Sequence, residues 1–237
     1  MMPGIKGSLR GTSRDEAEKP FWISFSDLMT ALMVLFLVTM AVALVSVTAP
    51  AVQKGVEQRE RAAAIGSCFA ELQVVAASYG LVVTGQTIDF GTRATFPNDS
   101  SNLTTEQQVL LRRFVPEVLA IAAKPVCKRW LRLIVVEGFA SRSGTYLHNL
   151  DLSTKRSERV LCTLLGAGAA PQLTDADRQL VQNLFFAGGY SFNTIRNTPE
   201  ESRRIELKLE FYGLDDQRES PPQIPLDRDA TCPIDAR

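Results

Sequence analysis

An apolar stretch covers residues 21–47 and contains no Lys, Arg or Glu. An α-helix rises about 1.5 Å per residue, so the stretch can cross a hydrocarbon layer of about 30 Å with some tilt. Asp27 lies about two helical turns inside it. A carboxylate at the centre of a membrane helix costs about 2.5 to 3.5 kcal/mol on insertion scales, which calls for a functional reason. The stretch therefore predicts a transmembrane helix over residues 20–48 whose acidic residue has a function.

Small and polar side chains share one face of this predicted helix. Helical spacing places Ser24, Asp27, Thr30 and Ala31 together, whereas bulkier residues cover the remaining surface. Small and hydroxyl-bearing residues allow a second helix to approach closely and to form hydrogen bonds within lipid. We expect this face to meet a partner subunit along an ion path, with Asp27 binding the ion. The alternative is an aspartate near the membrane boundary that reaches the headgroups or caps a frayed first turn.

The flanking segments suggest an orientation for the helix. Residues 1–19 are polar, charged and rich in Gly and Ser, which predicts a short disordered cytoplasmic tail. Basic residues are slightly more frequent before the span than soon after it, which favours a cytoplasmic N-terminus and places the rest of the chain in the periplasm. A cleaved signal peptide is the competing interpretation, but the apolar run exceeds the usual 7 to 15 residues. We predict an uncleaved, single-pass anchor in a bacterial inner membrane. The basic residues before the span are Lys6, Arg10, Arg14 and Lys19, and those after it are Lys54, Arg59 and Arg61.

Composition limits the partners and the compartment of the remaining chain. The 26 basic and 26 acidic residues cancel, so a nucleic-acid partner is not expected. Cys68, Cys127, Cys162 and Cys232 all follow the span, which permits one or two disulfides in any of three pairings, or buried free thiols. We find no cysteine or histidine spacing typical of zinc, and no cofactor is expected.

Hydrophobic patterning predicts an α+β domain behind the anchor. Near-helical spacing over residues 49–80 indicates a linker helix that continues from the membrane, ends at Gly80 and could pair with a copy of itself. The domain over residues 81–214 is expected to form a mixed sheet with helices on one face. The tail over residues 215–237 is expected to be irregular, held if at all through Cys232. The predicted elements are strands at 86–90 (within the stretch 81–90), 130–137, 185–190 and a half-exposed one at 204–212, and helices capped by Thr104 or Thr105, at 146–165 and after Pro171.

Spaced motifs in this domain resemble the OmpA-like peptidoglycan-binding family over residues 90–211. They are the turn Val136-Glu137-Gly138-Phe139-Ala140-Ser141, then Asn149, Leu152-Ser153 and Arg156, and later Gly188-Gly189-Tyr190 and Arg203-Arg204-Ile205-Glu206. In that family an aspartate and an arginine hold the ammonium and carboxylate ends of diaminopimelate in the peptidoglycan stem. The matching positions here are Ser141 and Arg156, so the arginine is present and the aspartate is absent. Phe139 likewise replaces a family histidine.

The resemblance therefore implies a peptidoglycan site. Alternatives remain for single residues: Asn149 could tie down the loop before the helix, and Ser153 could cap or pack it. The only histidine, His148, has no Ser or Cys in catalytic spacing and is expected to flank the cleft. The expected site residues are Arg156, Asn149, Leu152, Ser141, Phe139, His148 and Arg203.

The membrane segment resembles a second family. The letters WISFSDLMTALM from Trp22 to Met33 are similar to the signature of B subunits in MotA-MotB-type ion-driven rotary motors. Within that family the run SFSDLMTALMVLF and the short linker look most like the B subunits of Zorya anti-phage defence systems. This resemblance implies a homodimer of B subunits inside a ring of five A-type membrane subunits, translocation of H⁺ or Na⁺ at Asp27, and attachment to peptidoglycan.

Two other functions stay open at this point. A flagellar stator B subunit would use the same chemistry for motility, and an OmpA-like envelope tether would need no ion transport. An enzyme is not expected, because the sequence offers no paired nucleophile and base, no metal cluster and no phosphate-binding loop.

Overall fold

The structure is a computed structural model that describes residues 15–166, 171–218, 225–226 and 231–236. Lys6, Arg10, Arg14 and most of the predicted cytoplasmic tail lie outside these ranges. The chain divides into two compact units, Met1–Val56 and Glu57–Arg237.

A single helix, α1 (Asp15–Ser78), contains both the apolar stretch and the predicted linker helix. Among the described residues it is the one helix that is long and apolar enough to cross a membrane. The helix continues through Pro50, although an interior proline removes one backbone hydrogen bond. At its end Gly80 has φ +69°, and the amides of Gly80 and Leu81 donate to the carbonyls of Ala77 and Ala76. These two bonds form a Schellman cap, and the predicted stop at Gly80 is confirmed.

The second unit contains a five-stranded mixed sheet in the order β1-β2-β5-β3-β4. Neighbouring strands are antiparallel except β3 and β4, which are parallel and are joined through two helices. β3 is an interior strand that pairs with β5 on one side and with β4 on the other, which confirms the buried strand predicted from its continuous apolar residues. The strands are β1 (Val82–Thr84), β2 (Thr87–Asp89), β3 (Leu131–Gly138), β4 (Phe185–Gly189) and β5 (Ile205–Phe211).

The strand predicted at 86–90 is confirmed as β2, and the residues before it form the unpredicted strand β1, so the segment is the hairpin β1–β2. Thr84 pairs with Thr87, which leaves a two-residue loop that begins at Gly85 with φ +60°. Tight hairpin loops favour glycine there because a positive φ matches the twist of the strands.

The helices agree closely with their predicted starts. Thr104 is the N-cap of α2: its hydroxyl accepts from the Gln107 amide while the Gln107 side chain accepts from the Thr104 amide. This capping box selects Thr104 over Thr105. The remaining helices are α2 (Thr105–Ala122), α3 (Pro125–Lys128), α4 (Tyr146–Leu165), α5 (Asp175–Leu184) and α6 (Pro199–Ser202).

One face of the sheet carries the core. Ile88, Ile134, Val136 and Leu207 are fully buried against α2, α4, α5 and the last turns of α1. Each such side chain contributes roughly 1.5 to 3 kcal/mol when it leaves water. Helices on one face of a mixed sheet are what the sequence predicted.

The opposite face of the sheet carries charge and is more enclosed than expected. Glu206 on β5 is only 8% exposed, and its carboxylate accepts from the Arg204 side chain at 2.6 Å. Glu137 lies beside it on β3 and is 6% exposed. The prediction that β5 would be half exposed is therefore wrong near Glu206, because arginine side chains cover that end of the strand.

Two disulfides select one of the three open pairings. Cys68 of α1 is bonded to Cys127 of α3, and Cys162 of α4 is bonded to Cys232 of the tail. The expected attachment of the tail through Cys232 is thereby confirmed, and an Arg159–Asp235 ion pair of 2.7 Å lies beside it.

Candidate functional site

A polar cleft of about 210 Å³ opens at the end of β3. Its walls are the loop before α2, the turn between β3 and α4, and the first turns of α4. The cleft is lined by Asn98, Asp99, Ser141, Ser143, Gly144, His148, Asn149, Leu152 and Arg156. Five of the seven residues predicted for peptidoglycan therefore lie together: Ser141, His148, Asn149, Leu152 and Arg156.

Glycines at two strand ends bring α4 close to the sheet. A Cβ atom added at Gly138 would lie 2.0 Å from the Ser153 carbonyl oxygen, and one at Gly189 would lie 2.2 Å from the Thr154 hydroxyl. Only glycine permits this approach, which places the buried face of α4 against the ends of β3 and β4. The Ser153 hydroxyl accepts from the Ser191 amide at 2.9 Å, so Ser153 has a packing role.

Arg156 lies at the inner end of the cleft and is 0% exposed. Its guanidinium donates to three backbone carbonyls, Ser100 at 3.0 Å, Phe139 at 2.8 Å and Pro97 at 3.1 Å. The group also lies 5.0 Å from the centre of the Phe96 ring. Arg156 thus joins the loop before α2 to the turn after β3 and shapes the cleft.

The charge of Arg156 has no carboxylate ion-pair partner in the part of the chain that the structure describes. Burial lowers its pKa to about 10, so the side chain is still cationic at neutral pH. The three bonds leave one N–H on each terminal nitrogen, since a guanidinium has five donors. A buried cation with free donors beside a polar cleft is suited to a carboxylate ligand, because a charge left unpaired in the interior is costly.

Asn149 organises the turn that forms one wall. Its side-chain amide donates to the backbone carbonyls of Ser143 at 2.7 Å and Thr145 at 3.0 Å. Thr145 caps α4 by accepting from the His148 amide. Gly144 has φ +95°, a conformation that favours glycine. The structure therefore confirms the alternative that Asn149 holds the loop before the helix in place.

A histidine–aspartate contact lies at the mouth of the cleft. The Nε2 atom of His148 is 2.7 Å from a carboxylate oxygen of Asp99. The side chains are 51% and 64% exposed, respectively. Asp99 has φ +52°, a left-handed conformation that aspartate adopts more readily than most residues.

Two of the predicted site residues do not line the cleft. Phe139 is 3% exposed, its ring stacks on Tyr190, and the ring centre lies 4.1 Å from the Arg204 guanidinium. Only its backbone carbonyl contributes to the cleft, because it accepts a hydrogen bond from Arg156. Arg203 donates to the Phe96 carbonyl and pairs with Glu200.

Four residues that line the cleft were not predicted from the sequence, namely Asn98, Asp99, Ser143 and Gly144. Asn98 and Asp99 belong to a loop rich in Pro, Asn and Ser, a composition that predicts a connection between elements and no binding site. The one signal in the sequence that could have placed Asp99 at the cleft is its negative charge, which complements the positive charge of Arg156 on α4.

The predicted ion-binding residue lies on α1. Asp27 follows Ser24 by three positions and precedes Thr30 and Ala31 by three and four, so these side chains share a face of the helix. The Thr30 hydroxyl donates to the Asp27 carbonyl oxygen at 2.9 Å, which satisfies it within the helix. No charged residue follows between Leu28 and Gln53.

Comparisons with known proteins identify one strong sequence relative. The Zorya protein ZorB of Escherichia coli O139:H28 (strain E24377A / ETEC) is 40% identical over 216 residues, which cover 89% of this chain and 88% of that protein. No family model matches the chain.

Several solved structures are partly similar. The periplasmic domain of Helicobacter pylori MotB (residues 78-256) is 18% identical with a TM-score of 0.40, and the match covers 57% of this chain and 83% of that one. A putative MotB like protein from Desulfovibrio vulgaris is 18% identical with a TM-score of 0.41, covering 66% and 99%. The cell wall anchor of the T6SS from Pseudomonas aeruginosa is 18% identical with a TM-score of 0.41, covering 60% and 97%.

Proposed function

Because this chain belongs to the ZorB family of Zorya proteins, we propose that it is the B subunit of an ion-driven motor in the bacterial inner membrane that acts in anti-phage defence. The family membership supports the Zorya assignment.

One observation carries the motor proposal, namely an acidic side chain on the apolar part of α1. Asp27 is followed by a long uncharged run, which is where an ionisable group is expensive and is kept for ion or proton transfer. Binding of H⁺ or Na⁺ neutralises Asp27 and changes its attraction to polar groups of the surrounding A-type subunits. A side chain that alternates between charged and neutral forms can drive stepwise movement of that ring.

The cleft provides the fixed point against which such a ring would turn. Arg156 is suited to a carboxylate of the peptidoglycan stem, with Asn149 and Leu152 forming the neighbouring wall. The two disulfides favour an oxidising compartment, which agrees with a periplasmic domain and a cytoplasmic N-terminus.

The outer surface of α1 supports self-association. The exposed side chains over residues 62–78 are uncharged except that of Glu71, which is 43% exposed and pairs with Lys124. Five of the residues on this surface are separated by alternating steps of four and three, which is the spacing of the contact line between two parallel helices of a coiled coil. We call this line the seam. A second copy of the chain is the proposed occupant, giving two B subunits within five A-type subunits. The seam consists of Ala63, Ser67, Ala70, Val74 and Ala77.

The Asp27→Asn variant tests the proposal in cells that express the complete defence system. Asn keeps the size and polarity of the side chain and cannot carry a proton or bind a cation by charge. We expect the variant to assemble with its membrane partner and to lose phage protection.

The matched control is Ser46→Ala on the same helix. The Ser46 hydroxyl donates to the Ala43 carbonyl within the helix, so its loss should leave protection intact. Full protection by Asp27→Asn would contradict the proposal and leave an envelope tether as the function. Loss of swimming motility in the host cells would instead favour a flagellar stator.

A further inference from the structure

We propose that the disulfide between Cys162 and Cys232 is a thiol–disulfide exchange site, at which a dithiol reductant opens the bond and releases the tail from α4. The site shares no residue with the polar cleft or with the Asp27 face of α1. Its chemistry can therefore be tested independently of ion transport and wall binding.

The two disulfides differ in their access to solvent. Cys68 and Cys127 are 2% and 4% exposed and belong to the hydrophobic core. Cys162 and Cys232 are both partly exposed and lie outside that core cluster. Exchange requires that an attacking thiolate reach a sulfur atom of the bond. A reductant should therefore open the bond between α4 and the tail and leave the core disulfide intact.

A groove of about 180 Å³ leads to this disulfide. One wall is formed by the last two turns of α4 and the other by the tail, and both cysteines contribute to its surface. The groove gives the sulfur of a reductant a path to the bond. Its lining residues are Glu158, Leu161, Cys162, Leu165, Gly166, Thr231, Cys232 and Pro233.

Arg159 places a positive charge beside the sulfur of Cys232. Its Nη1 atom donates to the Cys232 Sγ atom at 3.8 Å and to a carboxylate oxygen of Asp235 at 2.7 Å. The Arg159 side chain is 15% exposed, and its buried Nε atom has no hydrogen-bond partner in the part of the chain that the structure describes. A neighbouring arginine stabilises a thiolate. Cys232 is therefore suited to leave as the thiolate when the bond opens.

The surroundings of Cys162 have the opposite effect. Cys162 belongs to the last turn of α4, and its carbonyl accepts from the Gly166 amide. The C-terminal end of a helix carries a partial negative charge, which disfavours an anion. Glu158 lies one turn earlier on the same face of α4 and also lines the groove. An attacking thiolate should therefore bond to Cys162 and displace Cys232.

The exchange has two balanced steps. A thiolate of the reductant attacks the Cys162 sulfur, the bond to Cys232 breaks, and its electron pair leaves with the Cys232 sulfur. The second thiolate of the reductant then attacks the mixed disulfide on Cys162 and releases the Cys162 thiolate. The reductant becomes a disulfide, its two electrons remain on the two cysteines, and its two protons pass to them through water. The ion pair between Arg159 and Asp235 is then left to hold the tail, and such a solvent-exposed pair holds it weakly.

The order of reduction is measured on the full chain in detergent micelles. Dithiothreitol is added in limiting amount, free thiols are alkylated at intervals, and the labelled peptides are located by mass spectrometry. We expect label on Cys162 and Cys232 while Cys68 and Cys127 stay bonded. With glutathione, a monothiol, rapid alkylation should trap the mixed disulfide on Cys162 and the label on Cys232.

Three variants test the role of Arg159, which acts through Cys232. Arg159→Gln should slow the reduction about threefold, because a tenfold change in the stability of the leaving thiolate changes the rate by about its square root. Asp235→Asn removes the carboxylate that shares the charge of Arg159 and should speed the reduction about twofold. The matched control is Lys155→Gln, which removes one charge from α4 at a side chain that pairs with Asp151 instead of the tail, and its rate should be unchanged.

A purely structural role of Arg159 gives the opposite sign. If Arg159 only clamped the tail, Arg159→Gln and Asp235→Asn would both loosen it, and both would speed the reduction. Faster reduction of Arg159→Gln, or glutathione divided equally between Cys162 and Cys232, would therefore overturn the activation of Cys232.

Release of the tail is followed through the accessibility of Arg159. Its side chain should react with phenylglyoxal faster after reduction than before, because the tail no longer covers it. An unchanged rate of modification would overturn the release. Reduction of the Cys68–Cys127 bond before or together with the Cys162–Cys232 bond would overturn the exchange site itself.

Discussion

Removal of the disulfide between α1 and α3 should lower the free energy of unfolding of the second unit more than removal of the disulfide between α4 and the tail. We consider the double variant Cys68→Ala/Cys127→Ala. Cys68 and Cys127 are 2% and 4% exposed and belong to the same core cluster as Leu72 and Val118. The bond therefore holds the last turns of α1 against the helices that cover the sheet.

The size of the effect follows from the length of the closed loop. The two cysteines are 59 residues apart, and the chain-entropy relation for such a loop corresponds to about 4 kcal/mol at 25 °C. Loss of two buried sulfur atoms adds about 1 kcal/mol, because the core fills the space only in part. The second disulfide spans 70 residues, so the same relation also predicts about 4 kcal/mol for Cys162→Ala/Cys232→Ala. Its half-buried cysteines should add little to that value.

Urea unfolding of the full chain in micelles measures both variants. Trp130 is 4% exposed and reports on the second unit, provided that Trp22 is first replaced by Phe. We expect a larger fall in the free energy of unfolding for the Cys68 pair than for the Cys162 pair. Equal stability of Cys68→Ala/Cys127→Ala and the unaltered chain would refute the reasoning. Peptide mapping without reduction that links Cys68 to Cys162 or Cys232 would refute the pairing itself.

Two further predictions concern the sheet. Gly138→Ala would place a Cβ 2.0 Å from the Ser153 carbonyl oxygen, so we expect the free energy of unfolding in urea to fall by about 3 kcal/mol and the affinity for the stem peptide to weaken. The control is Gly55→Ala, because a Cβ there meets nothing within 4 Å. Equal stability of the two variants would contradict the close approach of α4 to β3. Burial raises the pKa of Glu137 above its ordinary 4.5, so ionisation of this carboxyl disfavours the folded state. Glu137→Gln should therefore gain stability relative to the unaltered chain as the pH rises above about 4.5, and a difference that does not change with pH in urea unfolding would contradict the assignment.

Local signals in the sequence predicted much of the fold. The capping spacing at Thr104, the glycine stop at Gly80 and the apolar run of β3 each depend on neighbouring residues, and the structure confirms all three. The hairpin turn at Gly85 was missed because the surrounding strands have only three residues each. The enclosure of Glu206 was missed because the covering side chain of Arg196 comes from a separate loop.

In the candidate site, too, the features that depend on contacts between distant parts of the chain could not be predicted from the sequence. Asn149, Leu152 and Arg156 of α4 could be assigned to the site because they match the motif of the OmpA-like family. Asp99 could not, since its place at the cleft depends on hydrogen bonds between residues more than fifty positions apart in the chain. The disulfide pairing has the same origin, because cysteine count leaves three pairings and only the packing of α1 against α3 selects one.

Ion flux through the assembled complex tests the central claim most directly. The chain and its membrane partner would be reconstituted into vesicles, and proton or sodium uptake would be followed with a dye under an imposed potential. We expect uptake with the unaltered chain and none with Asp27→Asn, at equal amounts of assembled complex. Equal uptake by both complexes would contradict an ion-carrying role for Asp27.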